Sequence, residues 1–259
     1  LRKEKQELKI RDGFLIVALF WIVLSLTGSI PFVFSKEIEI STPDAIFESF
    51  SGLTTTGATV IRGLDTLPPS LLFYRQMLQW LGGMGIIVLA VAILPILGIG
   101  GMQLYKAESP GPIKDTKLTP RIKETAKALW YLYVSLTVVC AIAYYMAGMS
   151  ALDAVGHSFS TIAIGGFSTH DDSIRFFDSA AIDYIAILFM FLAGINFTLH
   201  FLAWRRKTVL TYIADSEFKA YVMTLVTVFA LCAAVLIQTN TYSSIADSIR
   251  YGLFQSVSI

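Results

Sequence analysis

Charge is scarce in this chain: Asp, Glu, Lys and Arg make up 15% of its 259 residues, well below the quarter or so of an ordinary soluble domain. Cysteine and histidine are scarcer, at two and three copies. With no Cys-x-x-Cys pair and no Cys/His cluster, disulfide frameworks and zinc sites drop out, and Cys140 and Cys232, both inside apolar runs, read as small packing residues. There is no nucleophile elbow, and neither His157 beside Ser158 nor His200 has a nucleophile–base spacing on a common helix face, so an intramembrane enzyme finds no support. A net charge of +1 says little by itself.

What the chain has in excess is apolar surface, at 55% of residues. About 20 apolar residues cross a hydrocarbon core, and five stretches qualify: 13–34, 71–97, 128–147, 180–203 and 221–237. The charged start (Arg2, Lys3, Lys5, Lys9, Arg11) leads into a span too long for a cleaved signal peptide and without a small-residue cleavage site. Beginning at Leu1 and holding an odd number of spans, the chain reads as an internal piece of a longer protein. Basic residues crowd the N-terminal arm, the stretch from Lys106 to Lys127, and Arg205, Arg206, Lys207 and Lys219. The positive-inside bias puts these regions in the cytoplasm, and beside membrane spans that reading displaces nucleic-acid binding.

A repeat sits between the spans. The octet Asp44-Ala-Ile-Phe-Glu-Ser-Phe-Ser51 returns as Asp153-Ala-Val-Gly-His-Ser-Phe-Ser160 and, more loosely, as Tyr251-Gly-Leu-Phe-Gln-Ser-Val-Ser258. All three fall on the outer side. Ser41-Thr-Pro-Asp44 supplies a cap, a first-turn proline and an acid near the positive helix end, opening a helix too short to cross. Such a segment must dip in and return, which is tolerated only where protein buries it or where it lines water. The Thr-rich stretch 53–60 favours extended backbone with a kink at Gly57. Backbone carbonyls from strands of this kind, converging on one axis, can replace the water shell of a cation.

Aligning the octets pairs Thr55 with Ile164, Thr56 with Gly165 and Gly57 with Gly166. Hydroxyls vanish from the second segment, so coordination is assigned to main-chain oxygens: Thr55, Thr56, Ile164 and Gly165 as cation ligands, with Gly57 and Gly166 completing the filter. Other polar and small residues read as structural. Gly82, Gly83 and Gly85 allow close helix packing, and Pro95 with Gly98, Gly100 and Gly101 ends the second span. Arg75 and Gln79, one turn apart, either buttress a pore helix through Glu48 or, for Arg75, snorkel to the headgroups. Asp183 is expected to be solvated near an outer helix end. His157 shares its octet position with Glu48 and Gln255, which suits a backbone hydrogen bond, and Asn196 and His200 are expected to contact a partner helix or the cytoplasmic vestibule.

Span, pore helix and single-glycine segment, followed by Arg75-Gln-Met-Leu-Gln-Trp-Leu-Gly-Gly-Met-Gly85 in the next span, together resemble the TrkH/KtrB family of potassium transporters, and its TrkH branch more closely, over the whole chain. The expected fold is an all-α integral membrane protein of repeated transmembrane helix, re-entrant pore helix with filter strand, and transmembrane helix. Repeat 1 covers 1–105, a cytoplasmic linker 106–127, repeat 2 128–207, and a partial repeat 3 208–259. The resemblance implies four such repeats around one potassium pathway, with the filter segments as above and the pore helices ending near Gly52 and Thr161. It further implies a bacterial inner-membrane location, a homodimer, and a cytoplasmic ring of nucleotide-binding regulatory subunits (TrkA). Potassium is substrate, and no cofactor is expected. A proton- or sodium-coupled symporter on the same scaffold is the alternative, disfavoured by the lack of a mid-span carboxylate.

Overall fold

The computed structural model describes residues 10–92 and 118–259, and every regular element among them is helical. The N-terminal run forms α1 (Ile10–Gly28) and, after a break at Ser29 just ahead of Pro31, α2 (Ile30–Phe34). Then come the short α3 (Thr42–Leu53) and the long α4 (Pro69–Ala92). The order long, short, long recurs as α5 (Leu118–Met146), α6 (Ala151–Ala163) and α7 (Ala180–Gly194), the last continued by α8 (Phe197–Arg206). A one-turn α9 (Leu210–Ala214) leads to α10 (Ser216–Gln238) and α11 (Ile245–Ser258).

Length separates the helices into two kinds. The 12 and 13 residues of α3 and α6 extend about 20 Å, short of a hydrocarbon core of about 30 Å. Val17–Phe34, Ala126–Met146 and Ser216–Gln238 are long and apolar enough to cross, and the last has only 6% of its length buried against this chain. A helix apolar on all sides and so little covered needs lipid or further protein around it.

The expected continuous span 180–203 is broken. α7 and α8 meet at an angle of 87°, because Asn196 starts a new helix: its side-chain oxygen accepts from Thr198 N at 3.0 Å, the geometry of an N-cap. The cytoplasmic linker expected over 106–127 is helical from Leu118 onward. Pro120 is tolerated there because a first-turn residue has no intrahelical N–H bond to lose. Pro95, Gly98, Gly100, Gly101, the basic residues 106–117 and those of 2–9 lie outside the described residues.

Packing centres on the short helices. α6 lies against α4, α5 and α7, α3 lies against α1 and α4, and α11 lies against α7 and α10. Phe32, Ala45, Leu53, Leu72 and Leu78 form an apolar core around α3. Tyr133, Tyr144, Ala154, Ile162 and Phe189 do the same around α6. α4 packs against both α3 and α6, which places its side chains behind both segments that follow them.

Candidate functional site

The two short helices are built alike from end to end. Ser41 Oγ accepts from Asp44 N at 3.3 Å and donates to Asp44 Oδ2 at 2.7 Å. Ser150 repeats both bonds with Asp153, at 3.1 and 2.7 Å. At the far ends, Thr56 N reaches back to Ser51 O at 2.9 Å and Gly165 N to Ser160 O at 2.8 Å, while Thr55 N and Ile164 N bond Gly52 O and Thr161 O. Gly52 and Thr161 thus lie in the last helical turn and accept the bonds that turn the chain out of the helix.

Beyond the helices the backbone is not the extended strand that the Thr-rich composition suggests. Thr55 has φ +54° and Gly57 +77°, and their aligned partners Ile164 and Gly166 have +51° and +82°. Left-handed residues therefore alternate with ordinary ones in both segments. For Thr and a β-branched Ile this region is costly, and the strain recurs at the same position although the side chains differ. The two segments also meet: a side chain on Gly57 would fall on Gly165 O and lie 3.6 Å from Gly166 Cα. A cavity of about 580 Å³ opens beside them, lined by Thr56, Gly57, Gly165 and Gly166 and, from α11, by Gln255 and Ser258.

α4 supplies the support. Arg75 is fully buried, which excludes snorkelling. Its Nε donates to Glu48 Oε1 at 2.9 Å, Nη1 to Ser168 O at 3.0 Å and Nη2 to Thr59 Oγ1 at 3.0 Å, and the guanidinium lies 4.5 Å from the centre of the Phe167 ring. Glu48 in turn accepts from Val60 N at 3.0 Å and from the Thr59 hydroxyl. One turn on, Gln79 Nε2 donates to Gly165 O at 2.8 Å and Oε1 accepts from Phe167 N at 3.0 Å. The expected buttress exists, and it reaches further than the sequence suggested, because it ties both segments and not a pore helix alone.

His157 is structural. Its Nδ1 lies 3.0 Å from Asp153 O and its Nε2 3.0 Å from Ser168 Oγ. A carbonyl only accepts, so in the neutral ring Nδ1 carries the proton and Nε2 accepts from the hydroxyl. Asp183 is not solvated: it is buried, with Arg250 Nε of α11 3.4 Å from its Oδ2, a partner too far off in sequence for spacing to announce. His200 bonds Leu192 O at 2.9 Å and Tyr212 Oη at 2.7 Å across the α7–α8 bend. His170 was not singled out in the sequence, yet its ring lies 2.5 Å from Asp65 in the connection before α4 and 3.3 Å from Asp153. The bond from His170 holds the Asp65 carboxyl below its ordinary value. Among the described residues no His, Cys, Asp and Glu cluster has metal-binding geometry.

The family model of the TrkH cation transport proteins matches residues 1–259. The Trk system potassium uptake protein TrkH of Vibrio parahaemolyticus is 60% identical over 260 residues, covering 100% of this chain and 54% of that protein. The protein of the same name from Escherichia coli K12 is 58% identical over 258 residues, covering 100% of this chain and 53% of its own length. The crystal structure of the potassium transporter TrkH from Vibrio parahaemolyticus matches with a TM-score of 0.87 at 54% identity, over 99% of this chain and 52% of that one. The chain therefore spans about half the length of these relatives. A family match from the first residue to the last, with identities above one half, means that this chain belongs to the TrkH family of cation transport proteins.

Proposed function

We propose that the chain forms part of a potassium pathway across the bacterial inner membrane, and that residues 55–57 and 164–166 are two segments of its selectivity filter. One observation carries this reading: the two segments share an alternating left-handed backbone despite unlike side chains, and they meet at Gly57 and Gly165. Carbonyls of Thr55, Thr56, Ile164 and Gly165 would replace part of the hydration shell of the ion. Gly165 O gives one lone pair to Gln79 and keeps the other for the ion. The C-terminal ends of α3 and α6, with their partial negative charge, lie at the head of the two segments and favour a cation there. Potassium as the substrate follows the names of the relatives. The work is translocation, with no bond made or broken.

Passive flow is favoured over proton coupling. Of the buried carboxylates among the described residues, Glu48 is bound to Arg75 at 2.8 Å and Asp183 lies 3.4 Å from Arg250, so both are committed to ion pairs. The same reading places the three short helices on the outer side, with Arg205, Arg206 and Lys207 in the cytoplasm. It also gives the full-length protein a homodimeric form and a cytoplasmic nucleotide-binding TrkA-type ring. The test is potassium against sodium flux through the full-length protein in liposomes, with and without Gly57→Ser. Native selectivity for potassium that broadens toward sodium in Gly57→Ser supports the filter, whereas an unchanged ratio removes Gly57 from it.

A further inference from the structure

The two segments are braced differently. In the first, the Thr54 and Thr56 hydroxyls lie 2.8 Å apart and tie the turn to itself. The aligned positions in the second are Ala163 and Gly165, which have no hydroxyl to offer. Gln79 fills that gap from outside. Its fully buried amide bonds Gly165 O and Phe167 N, one residue to each side of Gly166 with its left-handed φ of +82°. A side chain on Gly165 would collide with the Gln79 carboxamide, whose Nε2 lies 2.7 Å from the position of its first carbon. Gly165 and Gln79 are therefore complementary, and Thr56 could not stand where Gly165 does.

We propose that Gln79 is a specificity-determining positioning residue: its amide fixes the direction of the Gly165 carbonyl and the turn at Gly166, and so sets the ion preference of the second segment. This rests on the filter reading above. A neutral amide suits the task because it donates and accepts in one plane. Leucine offers neither bond, and an ionised glutamate retains the acceptor for Phe167 N but sets a negative oxygen against Gly165 O.

The experiment measures sodium-to-potassium permeability ratios of the full-length protein in liposomes for the native form, Gln79→Leu, Gln79→Glu and Gly57→Ser. Gln79→Leu is expected to raise the ratio about tenfold, the scale of one lost buried hydrogen bond. A loss of folded protein lowers both fluxes together and leaves the ratio alone. Should Gln79→Leu fail to assemble, Gln79→Glu, nearly identical in shape, carries the test and is expected to shift the ratio in the same direction. A native ratio in the assembled variant, with a shifted one in Gly57→Ser, overturns the role of Gln79 and leaves the filter standing. Native ratios in both overturn the filter reading as well.

Discussion

Replacing Gly82 by alanine tests the packing that places the first segment. In an exposed helix the change stabilises by about 1 kcal/mol through helix propensity, so in the absence of contact the sign is favourable. Here the added carbon would lie on Leu53 O, 2.7 Å from Leu53 C and 3.0 Å from Leu53 Cα. Carbon pairs rest at about 3.5–4.0 Å, so α4 and the end of α3 must part by about 1 Å. Overpacking of this kind costs about 1–3 kcal/mol, and it falls on backbone that cannot rotate away. With rigid backbone putting the cost in the upper half of that range, the net loss is about 1–2 kcal/mol, delivered one residue before the turn into residues 54–57. Gly83→Ala meets the Tyr133 hydroxyl at 2.7 Å, Ala163 Cβ at 3.0 Å and Ala163 Cα at 3.1 Å, a milder conflict because the shortest contact is with the far end of a side chain. Gly85→Ala meets only the edge of Trp21, at 3.0 Å. Thermal unfolding of the purified full-length variants should rank Gly82 as the most damaging, then Gly83, then Gly85, with potassium uptake following the same order. Native stability for Gly82→Ala, or equal damage at Gly85, would refute the close approach of α4 to Leu53.

His200→Ala removes the ring bonded to Leu192 O and Tyr212 Oη, leaving the Tyr212 hydroxyl without that partner and Leu192 O with the 3.3 Å bond from Ile195 N alone. A loss of about 1–3 kcal/mol is expected, visible as faster amide exchange in residues 190–200, and native exchange there would exclude the ring as the cap of the bend. The depressed carboxyl of Asp65 contributes stability that is complete above its ordinary value and is lost as the pH falls through the lowered one. The gap in melting temperature between the native protein and Asp65→Asn should therefore close on acidification through that range, and a gap that persists would show that His170 does not act through this charge.

Spans and short helices were legible because hydropathy and serine caps are local signals: Ser41 and Ser150 with their acids three residues on mark both helix starts. The third copy shows the limit of such signals. Ala45, Ala154 and Gly252 are buried at matched octet positions, as are Ser49, Ser158 and Ser256, yet α11 is capped by Ser244, one turn upstream of where the octet alignment puts its cap. The break at Asn196 escaped notice because hydropathy runs on across it while the cap that causes it lies inside an apolar window. The left-handed Thr55 and Ile164 contradict local propensity and exist only because the surrounding structure holds them. Partners such as Arg250 for Asp183 or Gln79 for Gly165 join elements far apart in sequence, and composition carries no trace of them.

Glu48 and His157 occupy the same octet position, and the structure gives them unequal duties. Glu48 neutralises a guanidinium that is fully buried with it, whereas His157 makes two neutral hydrogen bonds, to Asp153 O and Ser168 Oγ. A glutamine can donate to a carbonyl and accept from a hydroxyl, and Gln255 stands at the corresponding place in the third copy. His157→Gln should therefore cost less than about 1 kcal/mol. Glu48→Gln has the smaller chemical change and the larger effect, because it leaves Arg75 charged and unpaired at a cost of about 3–5 kcal/mol. Removing both charges together, as Glu48→Leu with Arg75→Met, should recover much of that loss, since the penalty belongs to the orphaned charge and not to the missing bond. Chemical unfolding of the full-length protein resolves these differences. Equal losses for the two glutamine variants would mean that the Arg75 charge is neutralised by some other group, and that the octet position is a polar contact of one kind in both copies.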